Sequence, residues 1–309
     1  MELPPPLIVL AGTTASGKTA LSLELASELA ARGMAAEIIS ADSRQVYRGM
    51  DIGTAKATPE EQARVRHHGL DLVDPDQAFS VADFQRCAAE ALVGIASRDA
   101  VALLVGGTGF YLRAVARGLA TEELPWDPDV RALLEARLAA GGLASLVAEL
   151  RSLAPTRAAA VDLRNPRRVL RALEIARVRG DEPLPAPKGY GRPVLWLGLQ
   201  VDRRVLVERI GRRARMQFDA GLVEETRALA ERFDTSAPSF SGIGYAESLG
   251  VIGGRLSLEA ATAIDAQRNA ALARRQATWF RREPDVTWFD ATTELPVAAA
   301  FAAVAAHLE

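Results

Sequence analysis

Eight residues near the start of the chain have the types and spacing of a phosphate-binding loop. The segment GTTASGKT fits the pattern G-x-x-x-x-G-K-[ST], follows the apolar run Leu7 to Leu10 and opens a helical pattern over Thr19 to Ala31. Backbone N–H groups of such a loop surround phosphate oxygens, Lys18 adds a positive charge, and the Thr19 hydroxyl can bind Mg²⁺. The residues predicted to bind phosphate are Gly12, Thr13, Thr14, Ala15, Ser16, Gly17, Lys18 and Thr19.

A carboxylate is predicted to lie beside this loop. Asp42 follows the apolar run Ala36 to Ser40, and parallel strands place their carboxyl ends at one edge of a sheet. An enzyme that hydrolyses nucleoside triphosphates usually holds Mg²⁺ with an acidic residue at another strand end, but the run Val101 to Val105 ends in GGTG. Asp42 is therefore a candidate general base. A helix N-cap or a water-mediated Mg²⁺ ligand are the alternatives that the spacing leaves open.

The elements that must position these groups alternate along the chain. Short apolar runs occur at Leu7 to Leu10, Ala36 to Ser40, Val101 to Val105, Val194 to Val201 and Val286 to Phe289. Because helical patterns separate most of these runs, we predict an α/β fold: a P-loop NTPase-like parallel sheet with helices on both faces.

One stretch of the chain lacks strand signals. From Pro125 to Arg179 the pattern is helical throughout, and a segment rich in proline and glycine follows, from Pro183 to Pro193. We therefore predict an all-helical insertion domain at residues 119–189, with the α/β core at residues 1–118 and 190–309.

Composition excludes several classes of protein. Apolar residues make up 49% and charged residues 25% of 309 residues, which is ordinary globular usage. The lone cysteine, Cys87, cannot form an internal disulfide, and no run is long enough to span a membrane. We therefore expect a cytoplasmic protein with no membrane association.

The adjacent His67 and His68 have no third ligand at a matching spacing, so we expect them to be structural. The four tryptophans are expected to be core or linker anchors.

Arginine is concentrated in three stretches despite a net charge of −2. The stretches Arg164 to Arg179, Arg203 to Arg215 and Arg268 to Arg282 interleave arginine with apolar residues at helical spacing. They are consistent either with binding of RNA phosphates or with solvated helix faces in a protein that uses arginine in place of lysine. The sequence leaves both interpretations open.

Several longer motifs together resemble one enzyme family. They are GTTASGKT, ISADSRQVYRGMDIGTAK, HHGLDLVDPDQAFSVADF, LLVGGTGFYLRA, NPRRVLRALE and RRQATWFRR. This set is similar to the motifs of the tRNA dimethylallyltransferase (tRNA isopentenyltransferase) family and extends from residue 7 to about residue 290. The resemblance implies transfer of a dimethylallyl group from its diphosphate to N6 of the adenosine 3′ of the tRNA anticodon, with Mg²⁺. It also implies that the anticodon stem-loop is the part of tRNA that binds. We expect a monomer.

The resemblance also implies roles for individual residues. Asp42 would be the base, Thr19 would position Mg²⁺, and Arg213 would approach the diphosphate. The residues implied to contact tRNA are Asp42, Ser43, Arg44, Gln45, Thr108, Arg131, Arg167, Arg168 and Arg171.

The chain departs from the family motifs at four positions. The departures are Thr13 for proline, Arg44 for methionine, and Ala246 and Ala270 for basic residues.

Three other functions compete with the one that the resemblance implies. They are an adenylate isopentenyltransferase that acts on a free nucleotide, a P-loop small-molecule kinase, and a module that only binds RNA. The helical insertion with its arginines favours tRNA over a free nucleotide, the GGTG strand end disfavours a kinase, and a pure binder needs no base at Asp42.

Overall fold

The computed structural model describes residues 3–309, apart from the side chain of Glu122. The chain forms two compact units. The core unit comprises the described residues up to Gly118 together with Gly189–Glu309, and the helical unit comprises Leu119–Lys188. At the return to the core, the Gly189 N–H donates a hydrogen bond to the Arg117 carbonyl (3.1 Å).

The core unit contains one six-stranded sheet in which all strands are parallel. The strands are β1 (Leu7–Gly12), β2 (Ala36–Ser40), β3 (His67–His68), β4 (Val101–Gly106), β5 (Val194–Gln200) and β6 (Val286–Asp290). Their order in the sheet is β3-β2-β4-β1-β5-β6. The predicted α/β class is therefore confirmed. The sequence did not predict β3, whose two residues are too few to give a periodic pattern.

Helices cover both faces of this sheet, as predicted. In the core unit they are α1 (Lys18–Ala31), α2 (Pro59–Arg64), α3 (Val81–Ser97), α4 (Gly109–Ala116), α8 (Arg203–Asp219), α9 (Leu222–Ala230), α10 (Tyr245–Ile252), α11 (Leu258–Phe280) and α12 (Val297–Leu308). Alternate residues of a strand point to opposite faces. Leu7 and Val9 of β1 accordingly pack with Phe84 and Trp196, whereas Ile8 and Leu10 pack in a separate cluster with α1 and α12.

The segment after β2 is held by a buried lysine. Lys56 Nζ lies 2.6 Å from carboxylate oxygens of both Asp51 and Asp71 and donates to the Tyr47 carbonyl (2.9 Å). Glu225 of α9 accepts the backbone N–H of Ile52 (2.9 Å). These charge-assisted bonds fix the long loop that begins at Asp42.

The two histidines form the edge strand β3. His68 Nε2 lies 2.6 Å from Glu37 Oε2, and Arg98 binds the same carboxylate through its Nε and Nη2. Hydrogen bonding from Arg98 contributes most to lowering the pKa of Glu37, and the bond with His68 adds to this. No group of three histidine, cysteine or acidic side chains in the described part of the chain could hold a metal ion.

The described residues of the helical unit form three α-helices and the short 3₁₀ helix Thr121–Glu123. The α-helices are α5 (Pro128–Leu153), which is interrupted at Gly142, α6 (Pro155–Ala160) and α7 (Pro166–Arg179). Leu134, Leu146 and Leu173 lie in its apolar core. The buried Glu174 of α7 binds both Arg131 (2.8 Å) and Arg171 (3.0 Å).

The expectation that the tryptophans are anchors is right for Trp196 and wrong for Trp126. Trp196 is 1% exposed in the core, whereas Trp126 is 65% exposed. Trp126 directly precedes Asp127, the N-cap of α5, and the residue one turn into the helix that could cover an indole is Arg131. The Arg131 guanidinium binds Glu135 and Glu174. No helix among residues 3–309 is both long and apolar enough to cross a membrane.

Candidate active site

The phosphate loop joins β1 to α1 and has a strained backbone. Ala15 has a φ of 61° and Gly17 a φ of 97°. The left-handed region is costly for alanine, so this loop conformation requires support from its surroundings. Part of that support comes from Lys18, whose Nζ donates to the Thr13 carbonyl (2.7 Å).

Two helices from the C-terminal part of the chain also hold the loop. Arg213 of α8 donates through Nη1 to Thr14 Oγ1 (3.0 Å), and Gln276 of α11 accepts the Thr14 N–H (2.8 Å). The structure thus places Arg213 at the phosphate loop.

The cations at the loop are poorly solvated. Burial lowers the pKa of Lys18 from its ordinary 10.5 to about 8, the negative charge of Asp42 opposes this shift, and Arg213 adds to it. Burial also lowers the pKa of Arg213. In addition, Ser16 Oγ and Arg213 Nε are buried without a hydrogen-bond partner. Buried donors and desolvated cations favour binding of an anion, because a phosphate would satisfy them.

The pKa of Lys18 predicts a pH-dependent affinity for diphosphate. A bound anion favours the protonated lysine, so binding at pH values above about 8 should take up a proton, and affinity should fall by up to tenfold for each further pH unit. Calorimetry with inorganic pyrophosphate in buffers of different ionisation enthalpy measures this uptake. Lys18→Arg is the control, since arginine stays charged and leaves only the titration of pyrophosphate itself. Identical proton uptake in the two proteins would contradict the assignment.

Asp42 lies in a tight turn at the end of β2. Its Oδ1 accepts the Arg44 N–H (2.8 Å), and the next residue, Ser43, donates its N–H to Thr108 Oγ1 (3.1 Å). The bond from the Arg44 N–H is that of an aspartate turn rather than a helix N-cap. Among the described residues Asp42 Oδ2 has no hydrogen-bond donor, which leaves this oxygen available to accept a proton.

The neighbours of Asp42 are held by the protein itself. Gln45 accepts the Ser40 hydroxyl (2.7 Å) and donates to the Thr54 carbonyl (3.2 Å). Arg44 Nη1 donates to the Pro238 carbonyl (3.1 Å) in the 3₁₀ helix Pro238–Ser241. These side chains are therefore preorganised around Asp42.

The phosphate loop and the Asp42 turn line one cavity. Its volume is about 1310 Å³, which exceeds the roughly 300–1,000 Å³ of an ordinary small-molecule site and leaves room for two substrates. Three carboxylates line it: Asp42, Glu61 and Glu294. The basic side chains along it are Lys18, Arg44, Arg209, Arg212, Arg213, Arg268 and Arg275. This excess of positive charge suits a diphosphate beside a polar acceptor.

Comparison with known proteins identifies the family. The sequence pattern of the family described as IPP transferase matches residues 45–283. A tRNA dimethylallyltransferase of Thermus thermophilus is 46% identical in an alignment of 281 positions that covers 89% of each chain. The chain belongs to the tRNA dimethylallyltransferase family. A second member, from a Roseiflexus species, is 44% identical over 91% of this chain and 92% of its own.

Solved structures agree with this assignment. The tRNA isopentenylpyrophosphate transferase of Bacillus halodurans is 38% identical, with a TM-score of 0.72 over 98% of this chain and 96% of its own. A eukaryotic dimethylallyltransferase captured acting on tRNA has a TM-score of 0.76 at 23% identity, over 94% of this chain and 74% of its own, and supports the fold.

Two departures from the motifs of the tRNA dimethylallyltransferase family have a structural explanation. Thr13 contributes its carbonyl to Lys18, and a proline would supply the same carbonyl. Arg44, where methionine is common, uses its guanidinium to join the Asp42 turn to Pro238. Ala246 and Ala270 carry no charge, so two basic side chains common in the family are missing here.

The tRNA-binding residues predicted in the helical unit fall into two groups. Arg131 and Arg171 bind the buried Glu174, and Arg171 also donates to the Pro125 carbonyl (2.6 Å). Arg167 and Arg168 are exposed at the first turn of α7. Arg131 and Arg171 therefore have a structural role at the least, whereas Arg167 and Arg168 are available to a ligand.

Sequence reasoning missed several side chains that line the cavity. They are Arg209, Arg212, Arg268, Arg275 and Gln276. Gln276 could have been found, because it stands in RRQATWFRR, one of the motifs that carried the resemblance. The arginines could not, since the three arginine-rich stretches contain many more arginines that face solvent.

Proposed function

We propose that this protein transfers a dimethylallyl group from dimethylallyl diphosphate to N6 of the adenosine 3′ of the anticodon in tRNA. The observation that carries the proposal is one cavity that contains a phosphate loop with desolvated cations and a carboxylate with a free oxygen. Membership of the family and the roles of its named relatives support it. We further propose that the protein acts in the cytoplasm as a monomer.

Two neighbouring groups of residues divide the reaction between them. The phosphate loop, Lys18 and Arg213 bind the diphosphate and stabilise the charge that gathers on its oxygens as the bond to the allylic carbon breaks. Asp42, whose charge acts on both of these cations, accepts the proton that N6 loses when the new bond between N6 and carbon forms. The electron pair of the broken bond leaves with the diphosphate, so the reaction needs no further reagent.

The residues at the loop also fit Mg²⁺. The exposed Thr19 lines the cavity, and Mg²⁺ is commonly held by one or two protein oxygens together with water and substrate phosphates. We propose that Thr19 holds the ion and that, when bound, it adds to the stabilisation of charge on the leaving diphosphate.

The acceptor must be exposed before it reacts. An adenine stacked in an anticodon loop cannot present N6 to a carboxylate that lines a cavity, so we propose that the base is turned out of the stack. Asp42, Ser43, Arg44, Gln45 and Thr108 would then surround it. Because the allylic carbon carries positive charge as the bond breaks, closure of the cavity by RNA would also limit attack by water.

We propose that the helical unit contributes to tRNA binding through Arg167 and Arg168. Replacing both with alanine should raise the KM for tRNA and reduce the dependence of binding on salt, by about one unit of log–log slope for each phosphate that the variant no longer neutralises. Filter binding at several salt concentrations measures both. Arg151→Ala, which removes an exposed charge from α5, is the control. A wild-type slope in the double variant would show that these arginines do not bind tRNA.

Arg171 requires separate treatment. Its replacement removes one of two cations from a buried glutamate, so Arg171→Ala should lower the stability of the helical unit and confuse a binding measurement. Arg171 is therefore kept intact in the double variant.

One assay separates the proposed function from its rivals. Wild-type protein is incubated with Mg²⁺ and dimethylallyl diphosphate in three separate reactions, with unmodified tRNA, AMP or ATP as the acceptor. Nucleotide products are analysed intact by mass, and tRNA is cleaved to oligonucleotides whose masses locate the modified adenosine. We expect dimethylallyladenosine from tRNA alone, at the position 3′ of the anticodon. Modification of AMP or ATP instead would identify an adenylate isopentenyltransferase. Absence of any modified adenosine would refute the proposal.

A further inference from the structure

One glutamine, to which the mechanism above gives no task, joins two motifs of the site. Gln276 of α11 lies between the phosphate loop and the GGTG turn that follows β4. Its Oε1 accepts the Thr14 N–H (2.8 Å), and its Nε2 donates to the Gly107 carbonyl (3.1 Å). An amide side chain is the group that can accept at one end and donate at the other.

The GGTG turn is shaped to admit this side chain. A Cβ on Gly107 would lie 2.4 Å from Gln276 Nε2, and a Cβ on Gly109 would lie 2.3 Å from the ring of Trp279, one turn further along α11. Both distances are below any tolerable contact, so two glycines of the turn allow α11 to approach the strand end closely. α11 also packs against α8, which carries Arg213.

The bond to Thr14 acts where the phosphate loop is strained. Ala15 has a positive φ, and such a conformation persists only when neighbouring groups determine it. Gln276 fixes the peptide N–H of the residue before Ala15, while Arg213 binds the Thr14 hydroxyl. With Thr14 held on both sides, the loop keeps its shape before any ligand binds.

We propose that Gln276 is a positioning residue for the diphosphate. It holds the phosphate loop in its binding conformation by linking it to the Gly107 carbonyl, at the strand end where a nucleotide-hydrolysing enzyme would carry an acid. The inference deepens the proposed function and rests on it for the identity of the substrate. Binding of inorganic pyrophosphate tests it without reference to the acceptor.

The test is a double-mutant cycle between Gln276 and Gly107, with pyrophosphate binding measured by calorimetry and steady-state kinetics measured alongside. Gln276→Ala should weaken pyrophosphate binding by up to about 30-fold, which is the effect if two hydrogen bonds of ordinary strength serve to hold the loop in its binding conformation. The KM for dimethylallyl diphosphate should rise similarly, whereas the KM for tRNA should not change. Gln267→Ala, on an exposed position of the same helix, is the matched control and should behave as wild type.

The second arm of the cycle is more specific. Gly107→Ala should weaken pyrophosphate binding because the new methyl group collides with Gln276 Nε2. In the Gln276→Ala background that atom is absent, so adding Gly107→Ala should cause little further loss. Gln276→Glu can still accept the Thr14 N–H but cannot donate to Gly107, and its charge opposes the anion, so it should bind pyrophosphate more weakly than Gln276→Ala.

Two results would overturn the inference. One is wild-type pyrophosphate affinity in Gln276→Ala, and the other is an equal effect of Gly107→Ala in both backgrounds. Thermal unfolding of each variant shows whether it is folded. If Gly107→Ala is not folded, the pyrophosphate affinity of Gln276→Ala relative to Gln267→Ala decides, and equal binding by these two variants would count against the inference. Failure of the tRNA assay, by contrast, would refute the proposed acceptor and leave these binding results as they stand.

Discussion

Asp42→Asn should lower kcat by about 10² to 10⁴, the range for loss of a positioned general base, while tRNA affinity stays near that of the wild type. Asparagine keeps an oxygen that can accept the Arg44 N–H, so the turn at the end of β2 should persist. What is lost is the oxygen that takes the proton from N6. Single-turnover rates with saturating tRNA and dimethylallyl diphosphate measure the effect directly.

The matched control for this prediction is Asp74→Asn. Asp74 has a partly exposed carboxylate, and its one side-chain partner in the described part of the chain is the exposed Arg48, an interaction of little energetic value. Its replacement should leave the rate unchanged. A wild-type turnover rate in Asp42→Asn would show that Asp42 is not the general base. A loss of Mg²⁺ affinity with full activity at saturating Mg²⁺ would instead assign Asp42 to the metal.

Arg213→Gln should lower kcat/KM for dimethylallyl diphosphate by about 10², because a preorganised group that meets charge developing on the leaving group contributes effects of this size. The basis is structural: Arg213 donates to Thr14 of the phosphate loop, and its Nε is buried without a partner. Glutamine keeps a donor near Thr14 but removes the charge.

Kinetics with each substrate varied in turn separate the possible roles of Arg213. The KM for tRNA should be unchanged, and Arg215→Gln, two residues along α8 and exposed to solvent, should behave as wild type. A rise in the KM for tRNA with an unchanged kcat/KM for dimethylallyl diphosphate would show that Arg213 binds RNA rather than the diphosphate.

The sequence predicted those parts of the site that lie in contiguous motifs. The phosphate loop and the turn of Asp42 each occupy a few consecutive residues at a strand end, and parallel topology brings strand ends together. The core strands were predicted for a similar reason, because buried runs such as β1 and β4 are continuously apolar. The two-residue strand β3 carries no such signal.

The parts that were missed depend on distant pairs of residues. Gln276 binds Thr14, which lies 262 positions away in the chain. The glutamine fits there because Gly107 has no Cβ, and composition cannot show this. Likewise, Arg171 and Arg167 look equivalent in NPRRVLRALE. Only the packing of α5 on α7 shows that Arg171 serves a buried carboxylate while Arg167 faces solvent.

The central claim is that the cavity couples departure of a diphosphate to formation of a carbon–nitrogen bond on tRNA, and the stoichiometry of the products tests it most directly. Wild-type protein is supplied with Mg²⁺, dimethylallyl diphosphate, ATP and unmodified tRNA, and released pyrophosphate, ADP and modified adenosine are counted in the same samples over time. The account predicts one pyrophosphate for each dimethylallyladenosine formed in tRNA and no ADP. Formation of ADP with a new phosphoryl product, or release of pyrophosphate without modified adenosine in the presence of tRNA, would contradict it.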